Sequence, residues 1–200
     1  MEQAIWEVAS MTNKEEIMDA IDFSPIITAV KDWEGVKTCL TSESKVVFVL
    51  FGDLCNICDI VSALKEAEKI PIVHMDLIGG LSNKEVAVDF VKKLTDVTGI
   101  ISTKPALIKR AKELGLFTIL RVFLLDSIAL ENLGKQEAQV GPDMIEVLPG
   151  VMPKVTKRIT KVLKTPIICG GMITDKEDII NALQAGAVAI SSTNPAVWTL

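Results

Sequence analysis

The sequence predicts an α/β protein, a (β/α)8 TIM barrel with an extra N-terminal helix. Three observations carry that expectation. Eight short apolar, β-branched runs recur along the chain at a spacing of about one βα unit. They are near-continuous rather than alternating, as parallel strands covered on both faces are, and the segments between them have helical periodicity. The last two runs end in Gly170-Gly171 and in Ser191-Ser192-Thr193, the residue types of the paired phosphate-holding loops that follow strands seven and eight of many such barrels.

The elements follow in order. Residues 12–21 read as the extra helix, with Thr12 as N-cap and Glu15 three positions on as its reciprocal partner, placed to close the barrel floor. Residues 1–24 are thus the N-terminal extension, and residues 25–200 the single barrel domain. Strands are expected at residues 26–30, 46–51, 72–75, 100–102, 117–123, 144–148, 167–169 and 188–190. Among the intervening helices, Val86, Phe90, Val91 and Leu94 share one face, and Ile179, Ile180 and Leu183 another.

Two hundred residues, 49% of them hydrophobic, suffice for one large core and leave little beyond the eight units. No linker, low-complexity tract or charge block divides the chain. The first residues carry acids and lack the basic, apolar, small-residue layout of a signal segment. No apolar run reaches the ~20 residues a membrane helix needs. A cytoplasmic protein without a membrane partner is expected. The four cysteines are irregularly placed. Cys55 and Cys58 form a Cys-x-x-Cys where a starting helix could stabilise a thiolate. There is no second pair, however, and the single histidine, His74, falls on another strand. The cysteines therefore read as small apolar residues, with no metal and no cofactor expected.

The chemistry concentrates at the strand ends. Glycines let an anion approach backbone N–H groups closely. Ser191, Ser192 and Thr193 add hydroxyl donors and open a short final segment whose first amides are expected to be unpaired. A Gly-Gly that merely makes a tight turn is the alternative for Gly170 and Gly171. Facing this cradle, strand two contributes Asp53, strand three His74 and Asp76, and strand four Thr103 and Lys104. Strand five gives Arg121, followed by Asp126, and strand six gives Glu146. Such a mixed-charge mouth suits a small phosphorylated ligand. Two uses remain open on residue types alone. Asp76 with Glu146 or Lys104 could supply acid–base or Schiff-base catalysis. Alternatively, Arg121 and Lys104 could offset ligand charge while the carboxylates accept hydroxyl hydrogens.

The formal net charge of −5 argues against wholesale attraction to nucleic acid, but charge is also local. Lys154, Lys157, Arg158, Lys161 and Lys164 recur at helical spacing with no acid among them, opposite Val155, Ile159, Val162 and Leu163. That stripe is either a solvated face or an RNA contact. Lys109, Arg110 and Lys112 make a smaller cluster. With no tyrosine and few other aromatics, base stacking is not the expected mode, and phosphate contact is.

Several stretches together carry a resemblance: His74-Met-Asp-Leu-Ile-Gly-Gly, Gly99-Ile-Ile-Ser-Thr-Lys104, Arg121-Val-Phe-Leu-Leu-Asp126, Ile145-Glu-Val-Leu-Pro-Gly150, Gly170-Gly-Met-Ile, and residues 185–194 with Trp198 following. They resemble the glycerol-3-phosphate-responsive antiterminator family of bacteria, from about Pro25 to Trp198. The resemblance implies a transcriptional regulator rather than an enzyme. Such a protein senses glycerol 3-phosphate as its effector and acts on the leader mRNA of glycerol-utilisation genes, preventing termination and stabilising the message. Carried over, Gly170, Gly171, Ser191, Ser192 and Thr193 would hold the phosphate, and His74, Asp76, Arg121 and Glu146 would line the glycerol end or the mouth. No catalytic residue is implied. The chain departs from the family pattern in its twenty-odd residues before the first strand and in its Cys55/Cys58 pair. The rival expectation is a phosphosugar epimerase, isomerase or aldolase using the same cradle. A glycerophosphodiester hydrolase fits less well with one histidine and no clustered carboxylates. A ligand-binding barrel acting through a protein partner, or as a homo-oligomer, stays open.

Overall fold

In the computed structural model, which describes residues 2–200 and side chains from residue 13 onward, eight parallel strands close into a barrel in the order β1 to β8. They are β1 (Ile26–Val30), β2 (Val46–Val49), β3 (Ile70–His74), β4 (Gly99–Ser102), β5 (Phe117–Phe123), β6 (Met144–Leu148), β7 (Ile167–Gly170) and β8 (Ala189–Ser192). Ahead of them lies α1 (Glu2–Phe23). The crossovers are α2 (Trp33–Leu40), α3 (Ile57–Glu66), α4 (Val86–Leu94), α5 (Pro105–Glu113), α6 (Ser127–Val140), α7 (Pro153–Val162) and α8 (Lys176–Gln184). After β8 the chain makes only a 3-10 turn, Pro195–Val197.

Local chemistry sets where the crossovers begin. Asp32, Asp126 and Asp175 cap α2, α6 and α8, each accepting from the amide three residues on: Gly35, Ala129 and Asp178. Each such cap is worth about 1 kcal/mol. Pro105 and Pro153 open α5 and α7, where a missing N–H costs nothing. The βα loops are thereby fixed at one end of the barrel.

Period-two alternation divides the strands into two cores. Outward residues such as Val30, Val49, Val73, Ile145 and Val147 pack against the helices. Inward residues, including Ile27, Phe48, Ile72, Ile101, Ile119, Met144 and Ile168, fill the barrel, and Ile17, Ala20 and Ile21 of α1 join them. Burying an isoleucine contributes about 1.5–3 kcal/mol, so the α1 contact is a substantial part of the barrel's packing. No helix among the described residues is long and apolar enough to cross a membrane.

The structure departs from the sequence expectation at several points. The helix expected at residues 12–21 starts at Glu2, so Thr12 lies inside it rather than capping it; the Thr12 side chain is outside the described residues. The β2 strand stops at Val49, with the Leu50 amide still bonded to the Val30 carbonyl, and β8 starts one residue later and ends two residues later than expected, at its serines. The expected faces of α4 and α8 hold in part: Val91 and Ile179 are buried and Phe90 and Leu183 pack against the core, but Val86, Leu94 and Ile180 are exposed, and Ala87, Val88 and Ala182 are buried as well. Val162 on α7 is also exposed.

Candidate functional site

The alternation that packs the barrel with isoleucine also delivers polar groups to its carboxyl end. Two residues beyond inward Ile72, Ile119, Met144 and Ala189 stand His74, Arg121, Glu146 and Ser191, all buried. All but His74 line a cavity of about 250 Å³ at the barrel mouth. Arg121, Glu146, Gly171, Ser191, Ser192 and Thr193 line it. So do Ala29, Leu50, Leu148 and Met172, which residue type alone did not single out. Ala29 and Leu50 were reachable from the alternation, being the next inward positions after Ile27 and Phe48.

At the inner end, Arg121 and Glu146 are register partners on β5 and β6, and the guanidinium Nε donates to Glu146 Oε2. The other carboxylate oxygen accepts from Ser191 Oγ at 2.5 Å. Gly170 stands against this pair: a Cβ there would lie 2.4 Å from Glu146 Oε1 and 2.6 Å from Ser191 Oγ. Glycine is required by close approach. Breaking such a buried pair on one side leaves an uncompensated charge, at a cost of about 3–5 kcal/mol.

A second cluster joins β3 and β4. Asp76 Oδ1 accepts from Ser102 Oγ at 2.9 Å and from Lys104 Nζ at 3.1 Å; Oδ2 accepts from the Thr103 amide at 2.7 Å and its hydroxyl at 3.0 Å. Burial would raise this carboxyl, but these four donors together outweigh it and hold the group below the usual carboxylate range. Lys104 also donates to Asn83 Oδ1. His74 is buried with Nδ1 unpartnered, 4.0 Å from Asp76 Oδ2 and beyond hydrogen-bond reach. Burial first, then the nearby Arg121 charge, push its pKa down to about 4, so the ring is neutral at pH 7.

The outer wall is formed by the loops after β7 and β8. Gly171 and Met172 both have left-handed backbones, φ +74° and +62°. For the non-glycine Met172 this costs roughly 1–2 kcal/mol. The Gly171 carbonyl accepts from the Gly150 amide at 3.0 Å, while the amides of Gly171, Met172 and Thr193 enter none of the loop backbone hydrogen bonds among the described residues. Several donors expected to be free are engaged. Ser191 donates to Glu146, and Ser192 donates to the Ile173 carbonyl and accepts from the Asn194 amide. The final segment's first amides are paired, Asn194 with Ser192 Oγ and Ala196 with Asn194 Oδ1, correcting the expectation that they are unpaired. A short polar segment caps itself, because its own serine and asparagine oxygens lie closest.

Other candidates fall elsewhere. Asp53 is exposed and accepts from the Cys55 amide within its own loop, and Asp126 caps α6. Cys55 is exposed rather than packed, Cys58 is half-buried, and both precede or open α3 at its Asn56 cap. No group of three or more metal-ligating side chains is found among the described residues. Lys154, Lys157, Arg158, Lys161 and Lys164 are all exposed on or just beyond α7, and none appears among the salt bridges of the described residues. In the smaller cluster, Arg110 pairs with Asp89 and Glu113, and Lys112 donates to the Gly141 carbonyl.

The fold and site define a (β/α)8 barrel with a small polar cavity at the carboxyl ends of its strands, where such barrels bind their ligands. Comparison narrows this class. Residues 26–198 match the family model described as glycerol-3-phosphate responsive antiterminator, and the chain belongs to that family. It is 47% identical over 177 residues to the Escherichia coli (strain K12) protein called uncharacterized protein YgcP, covering 88% of this chain and 93% of that one. The crystal structure of the glycerol uptake operon antiterminator regulatory protein of Listeria monocytogenes str. 4b F2365 superposes with a TM-score of 0.85. It is 30% identical, and the match covers 88% of this chain and 95% of that one. A glycerol uptake operon antiterminator-related protein of Thermotoga maritima MSB8 gives a TM-score of 0.76 at 34% identity, covering 86% and 96%.

Proposed function

We propose that this chain is a cytoplasmic transcription antiterminator that senses glycerol 3-phosphate and binds the leader mRNA of glycerol-utilisation genes. The observation that carries this reading is the mouth cavity within a barrel of the antiterminator family. Its outer wall offers the unengaged amides of Gly171, Met172 and Thr193, and its inner end offers Arg121 and Glu146. Amides turned out of a left-handed loop form a concave seat for an anion without adding a charged side chain. In this reading Gly170, Gly171, Ser191, Ser192 and Thr193 form the seat in two ways. Gly171 and Thr193 touch the phosphate, while Gly170, Ser191 and Ser192 hold the loops and Glu146 in place. The glycerol hydroxyls point inward. Glu146 accepts from one and Arg121 donates to the other. Asp76 holds Lys104 at the edge of the mouth.

On the output side, the exposed lysines and arginine of α7 meet RNA phosphates. α7 follows the β6 loop, and the Gly150 amide of that loop is bonded to the Gly171 carbonyl of the phosphate seat. A phosphosugar-converting enzyme is the second reading, favoured by the buried His74 beside the Asp76–Lys104 pair.

One experiment separates the two readings. Calorimetry with glycerol 3-phosphate on wild type, Gly171→Ala and Gly171→Asp measures the seat, and phosphorus NMR of the same mixtures reads turnover. Both variants share the strain of a side chain at positive φ, so their difference reports charge. Binding without conversion, weakened by Ala and abolished by Asp, is expected. Normal affinity in a folded Gly171→Asp protein removes the seat, and steady conversion of ligand replaces the regulator with the enzyme.

A further inference from the structure

The mouth cavity has a neighbour. A second cavity of about 260 Å³ lies between the start of α2 and the final 3-10 turn, and Ala29 and Thr193 line both. Ala29 is the inward residue at the top of β1, where only a single methyl group stands between its backbone and the two spaces it lines. Each space alone is smaller than the roughly 300–1,000 Å³ of an ordinary small-molecule site, whereas the two together fall inside that range. The charges differ as well. The mouth cavity sets Arg121 against Glu146. The second cavity carries one cation, Lys31, and two carboxylates, Asp32 and Glu34, with the Thr38 side chain beside them. One oxygen of Asp32 caps α2 through the Gly35 amide at 2.7 Å, leaving Glu34 as the uncommitted acid.

We infer that the second cavity is a subsite for the second alcohol of a phosphodiester of glycerol, an alcohol that carries an ammonium group. The inference rests on the phosphate seat proposed above. A phosphorus atom held at Thr193 stands where the two cavities meet, so one ester arm runs inward to Arg121 and Glu146 and the other runs over Ala29 toward α2. A monoester fills only the inner arm. The outer arm meets a region whose net charge is negative, which disfavours a second phosphate and favours a cation. An ammonium group there donates to Glu34, while Lys31 lies beside the remaining phosphate charge. The pairing is exposed, so its contribution is modest.

The test is calorimetry on the full chain with three probes: glycerol 3-phosphate, sn-glycero-3-phosphoethanolamine and sn-glycero-3-phosphoglycerol. The second has an ammonium arm, the third a neutral one. The proteins are wild type, Glu34→Gln and Glu34→Lys; position 34 is exposed and outside the mouth cavity, so the fold and monoester binding are left alone. The ethanolamine diester is expected to bind wild type at least as tightly as the monoester and better than the glycerol diester. Glu34→Lys should weaken it about fivefold, and Glu34→Gln by less, within the range of exposed charge pairs, with monoester affinity unchanged. Monoester binding with exclusion of both diesters, or diester binding indifferent to position 34, overturns the subsite and leaves the phosphate seat standing. Failure of all three probes to bind overturns the seat itself.

Discussion

Gly170→Ala puts one methyl group into the centre of the site. Its Cβ would lie 2.4 Å from Glu146 Oε1, 2.6 Å from Ser191 Oγ and 3.0 Å from Glu146 Cδ, with no positive φ to complicate the exchange. To regain van der Waals contact the carboxylate must retreat by about 1 Å. It is held on one oxygen by Arg121 Nε and on the other by Ser191 Oγ, so it cannot move without loosening one of them. Overpacking costs about 1–3 kcal/mol, and a hydrogen bond to a charged group about 1.5–3 kcal/mol. The costs overlap, because the retreat that relieves one incurs the other, and a net loss on the order of 3 kcal/mol is expected. Urea unfolding measures it as a lower midpoint at unchanged slope. Ser191→Ala breaks the same bond, so the double variant should lose less than the two single losses added together. Wild-type stability in Gly170→Ala, or strict additivity with Ser191→Ala, would refute the packed Glu146 centre.

Two further outcomes follow from the same geometry. His74 is lowered from an ordinary 6.5 to about 4, so the unfolded chain takes up its proton first as pH falls. Its contribution is therefore complete above pH 6.5 and is lost as pH drops toward 4, on the order of 3 kcal/mol in all. Asp76, held low, adds a loss only further into acid. Thermal unfolding of ligand-free His74→Asn should be flatter than wild type between pH 6.5 and 4.5, and an unchanged slope would mean that the ring is not what titrates. For the output surface, Lys157→Glu/Lys161→Glu should weaken leader-RNA binding and make the salt slope shallower by about 1.4, from two lost phosphate contacts on single-stranded RNA. Ligand affinity should stay the same. RNA binding like wild type in a filter assay across a salt series would make the stripe a solvated face.

The strands were legible because burial on two faces leaves a compositional trace, and β1, β5 and β6 lie where their apolar runs do. Helix faces were less so. In α4 the pattern found Phe90 and Val91 but also took in Val86 and Leu94, which sit exposed at the two ends of the helix, and missed buried Ala87 and Val88. At the site, residue type marked Arg121, Glu146, His74 and Asp76 as polar groups at strand ends, but not their partners. Arg121 meets Glu146 through the β5–β6 register, and Ser191 reaches Glu146 across 45 positions of sequence because β8 closes beside β7. Asp53 and Asp126 looked like mouth residues and instead serve their own turns, as aspartates at loop ends often do. The alternation placed Ala29 inward after Ile27, but its residue type carried no signal, since an alanine matters there only for the space it leaves.

The most direct test of the account is single-round transcription through the terminator of a glycerol-operon leader, with purified polymerase and this protein, in the presence and absence of glycerol 3-phosphate. Read-through should rise when protein and ligand are both present and stay at the background level with either alone. Gly171→Asp should give no response to the ligand. Termination that is unchanged by wild-type protein at saturating glycerol 3-phosphate would contradict the account.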